Sequence, residues 1–334
     1  MRKILTLISF LVIGATALNA QQDPMFTKYM FNSLVYNPAY AGYYDHMYIS
    51  ALYRNQWLGV DGAPTTQTLT LHTPLKNNRV GVGFHVLNDA IGPIEETKAF
   101  AAYSYKIPLG GTRQLAIGIQ GGVSYLRGDR SKLNLQQDQD LAFQDIGETT
   151  FEPNFGAGIM YYDKSFYIGV SSPSLIEHDL RSDETIVSEF YARKFRHYYL
   201  ATGAAIPLNG DLLIFKPSIL IKNVGLLAGL SKDIAFQNVG APTEFDIDLS
   251  LLFYEQFQVG LSFRSAIEAF GGGSSSFDSA DIWMSYFLSN GLRIGAAFDY
   301  PLNSIRGVSP GSFEILIGYE FDYKVKKTVT PRYF

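Results

Sequence analysis

The chain contains no cysteine, so no disulfide holds it together and no lipidated cysteine anchors it. Charge is scarce as well. Asp, Glu, Lys and Arg make up 17% of residues, the net charge is only -4, and the basic residues are scattered, which leaves no electrostatic footprint for nucleic acid. Long apolar runs are missing beyond Ala20. No stretch offers the ~18 uninterrupted apolar residues that a transmembrane helix needs, so helical membrane spanning is excluded. Catalytic signatures are equally thin. The five histidines, His46, His72, His85, His178 and His197, show no metal-ligand spacing, and neither a GxSxG elbow nor a Walker A loop occurs. We therefore expect no catalytic residue, no metal and no cofactor. A lipid hydrolase or acyltransferase embedded in a barrel would need a Ser and His pair at the rim, and nothing singles one out.

Residues 1–20 begin with Arg2 and Lys3, continue through an apolar run and close on Leu18-Asn19-Ala20, the pattern of a secretory signal peptide with cleavage after Ala20. Thirty-one glycines, 22 tyrosines and 24 phenylalanines point toward a barrel with aromatic girdles. The hydrophobic period is two, not 3.6. Val80, Val82, Phe84 and Val86 alternate with Gly81, Gly83 and His85, and Leu115, Ile117 and Ile119 alternate with Ala116, Gly118 and Gln120. Further on, Phe245, Ile247 and Leu249 alternate with Asp246 and Asp248, Leu292 and Ile294 with Arg293 and Gly295, and Phe313, Ile315, Ile317, Tyr319 and Phe321 with Glu314, Gly318, Glu320 and Asp322. A soluble sandwich also alternates, but many of these segments run nine to thirteen residues, the length of a tilted strand crossing a bilayer.

Short turns are expected at 74–79, 108–112, 162–165, 207–211, 254–257 and 288–291, and long connections at 57–64, 89–94, 128–150, 172–193, 222–243, 266–278 and 301–311. Bacterial barrels keep short turns periplasmic, long loops outside and an even strand number. Counting 224–232 as a strand gives fifteen, so that piece is assigned to an outer loop. The expectation is an all-β, transmembrane antiparallel barrel of about 14 strands, with 16 the alternative and both termini periplasmic. The chain then divides into a signal peptide (1–20), an aromatic segment (21–44), the barrel (45–323) and a periplasmic tail (324–334). The aromatic segment carries Phe26, Tyr29, Phe31, Tyr36, Tyr40, Tyr43 and Tyr44, which must be buried. It either plugs the lumen or docks a periplasmic partner. Asp246, Asp248, Glu314, Glu320 and Asp322 are expected to pair with Arg54, Arg264 and Arg293 across a wet lumen, chiefly as structural charges rather than a selectivity filter.

The start QQDPMFTKYMFNSLVYNPAYAG (21–42), followed by YRNQWLGVDGAPTTQTLTLHTPL (53–75), resembles the PorP/SprF family of type IX secretion outer-membrane proteins. The resemblance continues through GVGFHVLNDAIGP (81–93), PNFGAGIMYY (153–162), FYIGVSSPSL (166–175), KPSILIK (216–222), VGLSFRS (259–265) and GLRIGAAFDYPLNSIRGVSPGSFEILIGYEF (291–321) to the ending PRYF (331–334). Residues 223–237 look inserted by comparison. The resemblance implies an outer-membrane barrel that works with the secretion and gliding machinery. It would bind secreted proteins carrying a type IX C-terminal domain, retain or display them at the cell surface, and meet periplasmic or outer-membrane type IX components. Two motifs carry the candidate residues: Asp23, Pro24, Tyr29, Asn32, Asn37, Pro38 and Tyr40 in the first, Arg54, Gln56 and Trp57 in the second. Against a binding role, Asn37-Pro38 are also turn formers, and Trp57 at a strand end also suits a membrane interface. The competing function is a diffusion porin or small-hydrophobe transporter, which needs a water path instead of a protein partner.

Overall fold

A computed structural model describes residues 29–75, 78–129, 149–179, 193–210, 212–224, 243–267 and 275–321. The leader 1–20, Asp23, Pro24, the stretch 225–242 and the tail from 322 lie outside the described residues. Fourteen long strands follow in order: β1 (Met47–Asn55), β2 (Thr65–Pro74), β3 (Val80–Ile91), β4 (Ile94–Pro108), β5 (Gln114–Gly128), β6 (Thr149–Tyr162), β7 (Phe166–Ser172), β8 (His197–Ala204), β9 (Leu213–Val224), β10 (Thr243–Phe253), β11 (Phe257–Ile267), β12 (Ser275–Phe287), β13 (Leu292–Pro301) and β14 (Ser312–Phe321). Each pairs antiparallel with the next, and β14 returns to β1 with Met47 opposite Phe321 and Asn55 opposite Phe313. The sheet is a closed barrel. Closure gives every strand two neighbours, which a membrane-spanning sheet requires because lipid cannot satisfy an open edge.

The two faces of the wall are the reverse of a soluble protein's. Tyr103, Ile117, Ile119, Phe155, Ile159, Leu261, Ile282, Ile315 and Ile317 are exposed, whereas Ser50, Thr68, Thr70, His72, Gln120, Asp246, Ser262 and Glu314 are buried. An apolar outside around a polar inside is stable only when the outer solvent is hydrocarbon. The barrel sits in the outer membrane. Ile119, midway along β5, is a direct probe of that face. Ile119→Arg is expected to destabilise the folded barrel by about 2–4 kcal/mol in bilayers, read from the urea midpoint of reversible folding into liposomes. An effect below about 0.5 kcal/mol would place this position outside the hydrocarbon band.

The short turns link β2 to β3, β4 to β5, β6 to β7, β8 to β9, β10 to β11 and β12 to β13, and Met47 and Phe321 lie at the same end. The expected long loop at 89–94 is not one. Strands β3 and β4 run on to Ile91 and Ile94 and join through Gly92-Pro93, with Gly92 at φ +55. The strand outlasts its hydrophobic alternation because both faces are wet at that height. Polar cross-strand contacts take over: Asn88 Nδ2 donates to Glu95 Oε1 at 2.8 Å and Thr66 Oγ1 to Asp89 Oδ1 at 2.6 Å. The 172–193 connection contains a two-residue ladder, His178–Asp179 against Arg193–Lys194. Strand β9 extends through Val224, two residues into the stretch that looked inserted, and fourteen strands are reached without residues 225–242.

Candidate functional site: a plugged and charged lumen

Residues 29–46 leave no room for a long helix, because Asn32 and Asn37-Pro38 break the segment into single turns. A 3-10 turn (Tyr29–Phe31), α1 (Ser33–Tyr36) and a second 3-10 turn (Pro38–Tyr40) follow one another. Asn37 caps the last turn, its Oδ1 accepting from the Ala39 N–H at 2.9 Å, with Pro38 at the first position, where no N–H is needed. Such broken backbone must find partners elsewhere. Tyr29 Oη and Ser218 Oγ on β9 lie 2.7 Å apart, Asn32 Nδ2 donates to Thr68 Oγ1 on β2 at 3.1 Å, Ser171 Oγ on β7 donates to the Tyr36 carbonyl at 2.8 Å, and Ser104 Oγ on β4 to the Ala41 carbonyl at 2.6 Å. Lys106 Nζ donates to the Gly42 carbonyl. Contacts with inward side chains on β2, β4, β7 and β9 put the segment inside the barrel.

Aromatic packing fixes it there. Tyr40 stacks on Tyr43 with centroids 4.8 Å apart, Tyr43 meets Tyr162 at 4.7 Å, Tyr44 stacks on His72 at 5.5 Å, and Tyr36 meets Tyr199 at 5.0 Å. Phe31 makes an edge contact with Trp283 at 5.7 Å and lies 4.8 Å beneath the Arg293 guanidinium. Each such pair contributes about 0.5–1.5 kcal/mol beyond its buried area. Burial pushes the Tyr29 and Tyr40 phenols well above their ordinary range, so both stay neutral. The wall is shallow where the plug presses hardest: a methyl at Gly118 would overlap the Ala39 backbone, one at Gly81 the Ala41 carbonyl and one at Gly158 the Asn37 amide. His72 and His85, at inward positions, are buried, His85 stacking on Phe100 at 5.5 Å.

Toward the long-loop end lies a layer of buried charge. Arg264 on β11 donates through Nη2 and Nε to Asp246 Oδ2 on β10 at 2.7 and 3.2 Å. Arg54 on β1 reaches Asp299 on β13 at 2.5 Å and Glu314 on β14 at 3.4 Å. Asp281 on β12 stands opposite Asp299 in register. Asp248 accepts from Trp283 Nε1 at 2.5 Å and from Ser262 Oγ at 2.6 Å. The expected pairing across the lumen is therefore corrected. Charges meet along one side of the wall: Arg264 with its cross-strand neighbour Asp246, and Arg54 with its cross-strand neighbour Glu314 and, one strand further round, with Asp299. Glu320 lies 3.0 Å from His46 and within electrostatic reach of Arg293, Arg293 sits against Phe31 and Phe287 and hydrogen-bonds with Tyr44 and Tyr48, and Asp322 lies outside the described residues.

The structure distributes the candidate residues over separate places. Tyr29, Asn32, Asn37, Pro38 and Tyr40 belong to the plug and are buried; Arg54 belongs to the charged layer. Gln56 and Trp57 follow the end of β1 at the long-loop mouth. There the Gln56 N–H donates to the Pro64 carbonyl at 2.9 Å, and Trp57, at φ +50, donates its N–H to Ser312 Oγ at 3.1 Å. Asp23 and Pro24 lie outside the described residues. Sequence reading missed the wall groups that receive the plug, Thr68, Ser104, Ser171 and Ser218, and it missed Asp299 as the partner of Arg54. Their only signal is a polar residue at an inward position. Among the described residues no three His, Asp or Glu side chains are arranged to hold a metal.

A family model described as type IX secretion system membrane protein PorP/SprF matches residues 18–319. No curated protein matches. Among solved structures, the chain is similar to a Pseudomonas aeruginosa FadL homologue (12% identity, 87% of this chain and 94% of that one, TM-score 0.49). It is also similar to the Acinetobacter baumannii outer membrane protein Omp33 (10% identity, 84% and 100%, TM-score 0.46) and to BamA from Haemophilus ducreyi lacking POTRA domains 1-3 (9% identity, 83% and 71%, TM-score 0.41).

Proposed function

Because the chain belongs to the type IX secretion system membrane protein family PorP/SprF, we propose that this outer-membrane barrel binds secreted proteins through their type IX C-terminal domain and retains or displays them at the cell surface. The observation that carries this reading is the filled lumen. Residues 29–46 occupy it from the short-turn end, and the Arg54, Arg264, Asp246, Asp281, Asp299 and Glu314 layer lies toward the other. A barrel filled in this way is poorly suited to passing solutes and well suited to presenting a rigid rim. The long connections after β1, β5, β7, β9, β11 and β13 supply surface for gripping a protein domain. On this reading Asp23 and Pro24, which precede the plug in the sequence, would meet periplasmic or outer-membrane secretion components. The mechanism is binding, not catalysis.

The test is a pull-down of the tagged barrel from outer membranes with identification of its companions. Recovery of a large secreted protein that is lost when its C-terminal domain is deleted supports retention. A barrel that comes down alone and conducts ions steadily in planar bilayers moves the assignment to a diffusion porin.

A further inference from the structure

At the long-loop end, the connections after β13 and β1 and the tip between β3 and β4 are fastened to one another. The Leu58 N–H donates to the Gly311 carbonyl at 2.8 Å, Ser309 Oγ to the Leu58 carbonyl at 3.0 Å, and the Gly92 N–H to the Gly62 carbonyl at 2.9 Å. Three neighbouring connections thus form one fixed arc of the rim. Within it Trp57 is held at φ +50, a conformation that bulky L side chains seldom adopt. Its N–H is taken by Ser312 Oγ and its carbonyl accepts from the Val60 N–H, both at 3.1 Å, so the backbone is pinned while the indole stays half-buried. Glycine would take this conformation without strain. Strain of this kind persists only where the surroundings impose it, and it gathers at functional surfaces. Val308, next to Ser309, is 69% exposed. The charges of the three connections are mostly acidic, Asp61, Asp89 and Glu95 against Arg306.

We propose that this arc is the docking surface for the C-terminal domain of the secreted partner, with Trp57 and Val308 at its apolar centre and Asp61 facing basic side chains of the domain. The proposal rests on the retention reading above and names the part of the barrel that carries it. The occupant follows from position and charge. A second copy in the same membrane points its rim the same way and cannot lie over this one. The arc stands above the lipid, at the height where polar contacts such as Asn88 with Glu95 replace the apolar outer face. Anionic headgroups and polysaccharides meet an acidic surface there. A domain arriving from outside with an apolar patch framed by basic groups fits both the position and the charge. A tryptophan fixed in place makes a strong anchor for such a contact, and a rim already ordered gives up little freedom on binding.

The probe is a fluorescent protein fused to the C-terminal domain of the secreted protein that co-purifies with the wild-type barrel, titrated onto full-length barrels in lipid nanodiscs. Trp57→Gly removes the indole and relieves the backbone. That barrel is expected to keep or raise its urea midpoint while binding the probe roughly tenfold or more weakly. Val308→Ser and Asp61→Lys, both at exposed positions, are expected to weaken binding as well, the second with a smaller dependence on salt. A Trp57→Gly barrel that loses stability and keeps its affinity would show that the indole only anchors the barrel at the membrane interface, and would overturn the proposal. So would unchanged affinity in Val308→Ser and Asp61→Lys together, which decides the matter if Trp57→Gly does not fold. Either result leaves the retention reading standing, whereas a wild-type barrel with which no such protein co-purifies overturns both.

Discussion

Removing residues 21–44 is expected to convert a barrel of low conductance into an open channel. Eight strands enclose a space that side chains alone fill, whereas sixteen to eighteen leave an aqueous pore. Fourteen strands fall between these limits, and the structure fills the surplus with the plug's aromatic side chains rather than with wall residues. Without them, the Thr68, Ser104, Ser171 and Ser218 hydroxyls would face water along the lower lumen. Single-channel conductance in planar bilayers is expected to rise roughly tenfold or more on deletion, because a fourteen-stranded wall encloses more space than its own side chains fill. Because a deletion also alters assembly, a second variant separates the effects. Asn32→Cys with Thr68→Cys, on side chains whose ends Nδ2 and Oγ1 lie 3.1 Å apart, ties the plug to β2 when bridged by a short bifunctional thiosulfonate reagent. The bridged double variant is expected to remain closed, and reduction should add only brief openings. A wild-type barrel that already conducts as widely as the deletion variant would show that the plug does not close the lumen.

The membrane-spanning architecture was legible because hydrocarbon outside and polar groups inside write a period of two into every strand. The rule fails where its cause fails. Beyond the lipid, Asn88 and Asp89 continue β3 with no apolar face, so a strand reads as a loop. The interior was far less legible. Tyr29 contacts a residue 189 positions away and Arg54 one 260 positions away, and no local pattern states which inward serine meets which plug carbonyl. The glycines are a partial exception. Gly81, Gly118 and Gly158 interrupt inward faces where a side chain would ordinarily fill space, which signals close approach of another backbone without naming it. Arg54 was found through a motif and proved to be a buried charge between two carboxylates, whereas Gln56 and Trp57 of the same motif lie at the mouth. Adjacency in sequence here spans two environments.

Arg264 and Asp246 give the largest stability effect expected from a single substitution. Both are almost fully buried and bonded through two donors on one oxygen, and they are direct cross-strand neighbours on β10 and β11. Arg264→Met leaves Asp246 buried beside Asp281 and Asp299 with its cation gone, and removal of one partner from such a pair destabilises by about 3–5 kcal/mol. Asp246→Leu strands the guanidinium in the same way; Asp281 and Asp299 remain within electrostatic reach of Arg264 as Arg54 remains within reach of Asp246, so the two losses should be similar. The double variant removes both charges and the desolvation they carry, and is expected to recover most of the stability. The urea midpoints of the four proteins, folded reversibly into liposomes, form a complete cycle. A coupling of several kcal/mol with a stable double variant would mean that the pair orders charge in the lumen without adding net stability. A double variant as unstable as the sum of the singles would mean that each group acts through other neighbours, Arg54 and Glu314 among them, and that the layer works as one unit.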